Sequence, residues 1–266
     1  MAAPSAGVSF YFFDFDDNIM TLATQILLLN TATREEHPIS TQDLPTIQPL
    51  LGKPGKWENF SIVEDRTFRN FRDLSPAELQ PGQRQNFVED VAKTIGVGSP
   101  PWQGPSWRLF VHACNAARPL SIITARGHSR ETLKQGVRLL VEAGLIRQEP
   151  NYHTIFPVGN PEVRRELGDC SLDMTTPLLK RRAIIASVEK AVENDAAQAD
   201  LRFGMSDDDP QNVNLIVRAM CECKKKYPTK RFFAINTHMQ EEVKLEVYPV
   251  DYPVTHKPED GPRDVF

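Results

Sequence analysis

The sequence predicts an α/β fold, a doubly wound parallel sheet with an inserted region after its first strand. Residues 8–13 form a short run rich in β-branched and aromatic residues, typical of a strand buried on both faces of a parallel sheet. From residue 106 onward, similar short runs alternate with helical patterns, as in β-α-β units. Several runs end in charged or hydroxyl residues, and in such sheets ligands bind beyond the carboxyl ends of the strands.

The composition is that of an ordinary globular protein. The chain has 266 residues, 40% hydrophobic and 25% charged, enough for one large domain or a domain with an inserted lobe. A formal net charge of -4 gives no reason to expect polyanion binding over the whole surface. The four cysteines lack zinc spacing and indicate free thiols in a reducing compartment. Because neither a signal peptide nor a membrane span is evident, we expect a cytoplasmic protein without a membrane partner.

The region after the first strand is the least regular part of the chain. Residues 24–40 alternate loosely and predict a β-hairpin, with a short helix over residues 22–29 as the alternative. Residues 41–105 are rich in proline and glycine and contain one convincing helix, at residues 86–95. We therefore assign residues 31–105 to an inserted cap or flap. Its aromatic residues either line a substrate cleft or pack a small lobe; they are Trp57, Phe60, Phe68 and Phe71.

The remaining segments, residues 1–30 and 106–248, make up the predicted α/β core. Strands are expected at residues 120–124, 154–158, 201–205 and 231–236, each apolar and short. Helices are expected from Trp107, after the Ser129 cap, from the Thr176 cap, and over residues 213–223. The tail at residues 249–266 is rich in proline and charge, and we expect it to be loosely ordered.

Polar residues follow three of the predicted strands and therefore meet at one edge of a parallel sheet. A lysine in the first turn of the helix that begins at Thr176 joins them. Together they offer carboxylates for a hard cation such as Mg²⁺, a hydroxyl for phosphoryl oxygens and an ammonium to balance charge. Phosphoryl transfer requires groups of these kinds. One carboxylate can attack phosphorus while a second protonates the leaving oxygen. The residues are Asp14, Asp16, Thr124, Arg126, Asp207, Asp208 and Lys180.

The order of these clusters resembles that of the haloacid dehalogenase superfamily of aspartate-nucleophile phosphohydrolases. An apolar strand runs into Asp-Phe-Asp-Asp-Asn at residues 14–18, which matches the first motif of the family. The second motif corresponds to Leu-Ser-Ile-Ile-Thr at residues 120–124, the third to Lys180, and the fourth to Gly-Met-Ser-Asp-Asp-Asp at residues 204–209. The chain departs from the family at Asn18, where threonine or valine is usual.

The resemblance implies a role for each matched residue. It implies that Asp14 is the nucleophile, Asp16 the general acid and base, and Thr124 a ligand of the phosphoryl oxygens. Lys180 is the cation of the third motif, with Arg181 and Arg182 as alternatives in register. The implied metal ligands are Asp14, Asp16, Asp207 and Asp208, with Asp209 an alternative in the fourth motif, and the implied substrate-binding residues are Thr124, Ala125, Arg126 and Lys180.

These roles imply a Mg²⁺-dependent phosphomonoester hydrolase that works through a covalent aspartyl-phosphate on a small phosphorylated substrate. The loop at residues 125–129 is distantly similar to that of polynucleotide 3'-phosphatases, so a nucleotide or polynucleotide end stays open as the substrate. For Arg126 and His128, substrate contact and surface solvation are both open. The alternative functions are a phosphotransferase or phosphomutase on the same fold, and a catalytically silent binding protein.

Overall fold

The computed structural model describes residues 7–97, 102–194, 200–237, 243–248 and 254–256. In these ranges the strands are β1 (Val8–Phe13), β2 (Ile26–Asn30), β3 (Glu36–Ile39), β4 (Phe60–Ser61), β5 (Pro119–Thr124), β6 (Asn151–Pro157), β7 (Leu201–Asp207), β8 (Arg231–Asn236), β9 (Val243–Glu246) and β10 (Val254–His256). The α-helices are α1 (Leu44–Ile47), α2 (Glu64–Thr67), α3 (Asn86–Gly96), α4 (Trp107–Asn115), α5 (Arg130–Glu142), α6 (Pro161–Glu166), α7 (Thr176–Asn194) and α8 (Pro210–Lys226).

A seven-stranded sheet in the order β10-β9-β8-β7-β1-β5-β6 forms the centre of the protein. Strands β8, β7, β1, β5 and β6 run parallel, while β9 and β10 are antiparallel to their neighbours. The chain goes from β1 to β5 and β6 on one side, and later to β7 and β8 on the other. The strand order therefore reverses beside β1, and a crevice opens at the carboxyl end of such a switch point.

Helices cover both faces of this sheet, as the alternation of side chains along β1 requires. Phe10 and Phe12 point into a core shared with α6, α7 and α8. Tyr11 and Phe13 point into the opposite core, which α3, α4 and α5 complete. The protein is thus a mixed α/β protein whose mostly parallel sheet is compatible with a Rossmann-like fold.

A second, three-stranded sheet in the order β3-β2-β4 lies in the inserted region. Strands β2 and β3 pair antiparallel, so the predicted hairpin is confirmed and residues 26–30 are not helical. Alternate residues of β2, Ile26 and Leu28, pack with Trp57 in a separate small core. We call residues 24–73 the small-sheet unit. It begins before residue 31, because the apolar face of β2 packs within this unit.

Helix α3 belongs to the main core although it lies within the region assigned to the insert. Phe87 on α3 is buried in the same core as β1, and its ring meets Phe15 edge-on at 5.1 Å between centroids. On α5, Gly136 permits this packing, since a Cβ there would lie 2.3 Å from Phe87 Cε1. The predicted helix is therefore confirmed, but it packs against the core helix α5 rather than within the small lobe.

Several short elements were not expected from the sequence: α1, β4 and α2 in the small-sheet unit, and α6, β9 and β10 outside it. Helix α6 is capped by the side chain of Asn160, which accepts a hydrogen bond from the backbone N–H of Glu162 at 2.9 Å. Strands β9 and β10 extend the sheet in the antiparallel sense, so the sheet is not purely parallel. Residues 254–256 of the tail thus form a strand, and the rest of residues 249–266 lies outside the described residues.

All four cysteines lie in described segments and are free thiols, as expected. Among the helices in the described ranges, none combines the length and apolar character needed to cross a bilayer.

Candidate active site at the carboxyl edge of the sheet

Three neighbouring strands bring the predicted site residues to one edge of the sheet. Phe13 of β1 is in register with Ser206 of β7 and with Ile122 of β5. Asp14 therefore follows β1 beside Asp207, which ends β7, and Thr124 ends β5 on the other side. All three are buried, because the strands that carry them lie in the middle of the sheet.

Lys180 joins two of these carboxylates. Its Nζ lies 3.3 Å from Asp14 Oδ1 and 3.4 Å from Asp207 Oδ2, and its side chain is buried. The neighbouring cations point elsewhere: Arg181 pairs with Glu222, and Arg182 donates to the backbone carbonyl of Leu167. The geometry thus favours Lys180 over both alternatives, because only Lys180 lies on the buried face of α7.

Burial and mutual repulsion shape the charges of this cluster. Burial raises the pKa of the Asp14 carboxyl well above its ordinary value; Lys180 opposes this rise and Asp207 adds to it. Burial alone would lower the pKa of Lys180, but the charges of Asp14 and Asp207 outweigh it and raise that pKa above its usual range. The ammonium therefore stays charged, and it only partly balances the carboxylates around it.

The three successive aspartates at residues 207–209 have different roles. Asp207 is fully buried and accepts hydrogen bonds from Asn212 Nδ2 at 3.1 Å and from the backbone N–H of Asp209 at 3.0 Å. Asp208 is half-buried, and burial together with the charge of Asp207 raises its pKa to about 7. Asp209 caps α8 through a hydrogen bond from the backbone N–H of Gln211 at 2.8 Å. The side chain of Asp209 therefore serves as the N-cap of α8.

The group formed by Asp14, Asp207 and Asp208 fits a hard divalent cation. Each residue offers a carboxylate oxygen, and these oxygens lie within 4.8 Å of one another. Asp14 Oδ1 is buried, and no hydrogen-bond donor among the described residues is aligned with it, although Lys180 is close. Oxygen ligands of this kind suit Mg²⁺, which commonly binds through one or two carboxylates and its own waters.

Asp16, predicted both as acid and as metal ligand, is not part of that group. Its carboxylate is held from the side by Arg126: Nε lies 2.8 Å from Oδ2 and Nη2 lies 2.6 Å from Oδ1. This side-on pairing is the bidentate geometry that a guanidinium favours with a carboxylate. The side chain of Asp16 thus binds Arg126, in the loop after β5, and does not join the group of Asp14, Asp207 and Asp208.

The loop after β5 places the other predicted substrate-binding residues. The hydroxyl of Thr124 is buried and accepts a hydrogen bond from the backbone N–H of Arg126 at 3.3 Å. Ala125 is exposed at the edge of the sheet. The side chains of Arg126 and His128 are both 0% exposed, so surface solvation is excluded for both. Burial, aided by the charge of Arg126, lowers the pKa of His128 to about 2 and keeps its ring neutral.

Asn18 is a site residue that sequence reasoning missed. Its Nδ2 donates to the backbone carbonyls of Asp14 at 3.2 Å and Ser206 at 3.1 Å, and its Oδ1 accepts from the hydroxyls of Ser106 at 2.8 Å and Thr237 at 2.9 Å. The amide therefore fastens the ends of β1 and β7 to each other. The one signal in the sequence was that position 18 departs from the family pattern.

A cavity of about 520 Å³ lies in the small-sheet unit close to these loops. Its lining includes Thr24, His37, Ile39, Asp43, Lys56 and Trp57. Thr24 also accepts a hydrogen bond from Arg126 Nη2 at 2.9 Å, and Gln42 donates to Asp17 Oδ1 at 3.1 Å. Trp57 packs in the small core and also lines the cavity, whereas Phe60, Phe68 and Phe71 pack against the small core and are not among the lining residues of the cavity.

Fold and site together define a mixed α/β protein with a buried, acidic, lysine-bridged centre at the carboxyl edge of a mostly parallel sheet. No protein-family model matches the chain, and no curated protein or solved structure is significantly similar to it.

Proposed function

We propose that this protein is a Mg²⁺-dependent phosphomonoesterase of the haloacid dehalogenase type, acting through an aspartyl-phosphate on Asp14. The observation that carries the proposal is the position of Asp14. It follows the central strand, its Oδ1 lies 3.3 Å from the buried ammonium of Lys180, and it is grouped with Asp207 and Asp208. A buried carboxylate beside an ammonium, in a carboxylate group that fits a divalent cation at the switch point of an α/β sheet, suits attack on an anionic phosphoryl group.

In the first step, a carboxylate oxygen of Asp14 attacks phosphorus and the bond from phosphorus to the leaving oxygen breaks. The leaving oxygen takes the bonding electron pair and a proton from the carboxyl of Asp16, so that an alcohol departs and Asp16 is left ionised. Lys180 and the hydroxyl of Thr124 stabilise the phosphoryl oxygens during the transfer.

In the second step, a water molecule attacks the phosphorus of the aspartyl-phosphate and passes a proton to Asp16. The bond between phosphorus and the Asp14 oxygen breaks, which releases inorganic phosphate and restores the Asp14 carboxylate. Asp16 regains in this step the proton that it gave up in the first, so the cycle closes without a co-reactant.

Asp14, Asp207 and Asp208 would hold the Mg²⁺ ion. When bound, the ion supplies positive charge that screens these carboxylates from the phosphate and stabilises the charge of the transition state. Burial and the repulsion between these carboxylates raise the pKa values of Asp14 and Asp208, and a bound cation would relieve both effects, which supports a cation at this position.

We further propose that the small-sheet unit is the cap that selects the substrate. It contacts the loops after β1 and β5: Gln42 donates to Asp17 Oδ1 after β1, and after β5 the backbone carbonyl of Phe71 accepts a hydrogen bond from the backbone N–H of Gly127 at 2.8 Å, while the Asp73 carboxylate accepts one from that of Ser129 at 2.9 Å. These contacts lie beside Asp16 and Arg126. Its cavity of about 520 Å³ would then receive the organic part of the phosphomonoester.

The test is a hydrolysis assay with Mg²⁺ on p-nitrophenyl phosphate, benzyl phosphate and a panel of phosphometabolites and phospho-oligonucleotides. We expect phosphate release that Asp14→Asn reduces by several orders of magnitude, since the amide has nearly the same volume but cannot attack. Asp173→Asn, the same change at an exposed aspartate, should keep the activity of the parent. Absence of Mg²⁺-dependent release by the parent, or equal release by Asp14→Asn, would refute the proposal.

A further inference from the structure

Arg126 has an unusual environment for an arginine. Its side chain is 0% exposed, and its hydrogen bonds run to the carboxylate of Asp16 and the hydroxyl of Thr24. Its Nη1 is buried and has no hydrogen-bond partner among the described residues. Burying an ion pair costs solvation energy that the pairing often fails to recover, so stability alone is a weak reason for this arrangement.

The guanidinium also joins the two parts of the protein. Its Cζ lies 4.8 Å from the centre of the Phe71 ring in the small-sheet unit and 4.9 Å from the centre of the Phe87 ring on the core helix α3. Thr24, which binds Nη2, opens the small-sheet unit and also donates to Asp90 on α3 at 2.6 Å. One side chain is therefore in contact with the core, the proposed cap and Asp16.

We propose that Arg126 is the positioning residue for the acid and base Asp16, and that Thr24 and Phe71 make this positioning depend on the small-sheet unit. The inference rests on the proposed function. Arg126 fixes the carboxylate plane of Asp16 through two nitrogens, while Thr24 and the two rings fix the guanidinium. The Asp16 carboxyl can protonate a leaving oxygen only in the position that Arg126 gives it.

The chemistry gives this role a signature that a purely structural residue lacks. Departure of an alkoxide needs a proton in the transition state, whereas departure of p-nitrophenolate needs little help, because that anion is already stable. A misplaced Asp16 therefore slows the hydrolysis of benzyl phosphate far more than the hydrolysis of p-nitrophenyl phosphate. The comparison uses kcat/KM, which reports the steps up to release of the leaving group and excludes the later hydrolysis of the aspartyl-phosphate.

The experiment compares Arg126→Lys and Thr24→Val with the parent on these two substrates. Arg126→Lys keeps the charge but loses the bidentate contact. We expect it to lower kcat/KM for benzyl phosphate by about 10- to 100-fold and for p-nitrophenyl phosphate by less than about threefold. Thr24→Val leaves the ion pair between Arg126 and Asp16 in place. It should also lower kcat/KM more for benzyl phosphate than for p-nitrophenyl phosphate, but by smaller factors, so it provides the test if Arg126→Lys does not fold.

Two further variants separate positioning from general damage. In an Asp16→Asn background, Arg126→Lys should add little loss on benzyl phosphate, because Arg126 would act through a carboxyl that is already absent. Arg164→Lys is the matched control: Arg164 Nη2 lies 2.7 Å from Asp169 Oδ2, in a buried pair that contacts none of the site residues. Arg164→Lys should change kcat/KM by the same factor for both substrates.

The outcomes distinguish this inference from the proposed function. Equal losses on both substrates, or losses that add to those of Asp16→Asn, would overturn the role of Arg126 while hydrolysis that depends on Asp14 still stood. If the parent hydrolysed neither substrate in an Asp14-dependent way, the proposed function would fail and the inference with it.

Discussion

At the scale of single residues, the site depends on a few buried charges that must balance. Lys180 is the one cation within 4 Å of both Asp14 and Asp207 among the described residues. The half-buried Asp208 belongs to the same group of carboxylates as Asp14 and Asp207. Because charges in a low-dielectric interior interact strongly, removing Lys180 would leave repulsion that nothing else nearby offsets.

We therefore expect Lys180→Gln to lower the free energy of unfolding by about 3 kcal/mol in EDTA at pH 8. Mg²⁺ should recover part of this loss by supplying charge at the same place. Arg181→Gln is the control, since Arg181 belongs to an exposed pair and should change stability by less than about 1 kcal/mol. Urea denaturation of the two variants measures both values, and equal effects would contradict the account.

The residue types of the site could be predicted from the sequence, but their pairing could not. Asp14, Thr124 and Asp207 follow from strands that end at one edge, which is a property of the chain pattern. The pairing of Asp16 with Arg126 joins residues 110 positions apart and depends on the rings that pack against the guanidinium. The same holds for Asn18, whose partners come from four separate segments of the chain.

At the scale of elements, the position of each helix is set by close packing as much as by pattern. Helices α3 and α5 meet at Gly136, where a Cβ would lie 2.3 Å from an atom of the Phe87 ring. The Phe87 ring in turn packs against Arg126, so the α3–α5 contact supports the loop that holds Asp16.

We expect Gly136→Ala to destabilise the protein by about 1–3 kcal/mol, because the added methyl group overpacks this contact. Gly96→Ala, at the end of α3, should be neutral or slightly stabilising, since no atom lies within 4 Å of the added Cβ. Thermal denaturation of both variants tests this. A Gly136→Ala variant as stable as the parent would mean that α3 and α5 are not packed in this way.

Within the small-sheet unit, the cavity is the part that we expect to affect substrate preference. Trp57 lines the cavity, and its ring packs edge-on against Phe60 at 5.3 Å between centroids. We expect Trp57→Ala to change substrate preference or apparent affinity on the panel more than it changes hydrolysis of p-nitrophenyl phosphate, which is too small to need the cavity. Steady-state kinetics on both kinds of substrate measures this; a uniform loss would argue against a cap role.

Long, apolar elements were predictable, whereas short or polar ones were not. The strands of the parallel sheet and helices α5, α7 and α8 follow from apolar periodicity and recognisable caps. Helix α6 has six residues and β9 four, with Arg164 and Glu166 in the first and Lys244 and Glu246 in the second. Such segments bury little apolar surface of their own, and pairing with β8 is what makes β9 a strand.

At the scale of the whole molecule, the acidic centre couples stability to pH and to metal. Burial and the charge of Asp207 raise the pKa of Asp208 to about 7, above the ordinary value of 3.8. In this pH window the folded protein binds more protons than the unfolded chain. The free energy of unfolding without metal should therefore fall as pH rises through the window from about 4 to 7.

Asp208→Asn removes this contribution and tests it directly. In EDTA the variant should match the parent near pH 4 and be more stable than the parent by roughly 1–4 kcal/mol at pH 8, since one pKa unit corresponds to about 1.4 kcal/mol. Mg²⁺ should stabilise the parent more at pH 8 than at pH 5, because it binds ionised carboxylates, and should stabilise the variant less. If Mg²⁺ left the melting temperature of the parent unchanged at both pH values, the result would contradict a metal site.

The central claim is that Asp14 becomes phosphorylated during turnover, and acid quenching followed by mass spectrometry of the peptide that contains residues 8–20 tests it most directly. With p-nitrophenyl phosphate and Mg²⁺, we expect one phosphoryl group on Asp14. It should accumulate in Asp16→Asn, which releases p-nitrophenolate but lacks the base for the second step, and be absent from Asp14→Asn. Turnover by the parent with no phosphoryl group on Asp14, or with one on another residue, would contradict the account.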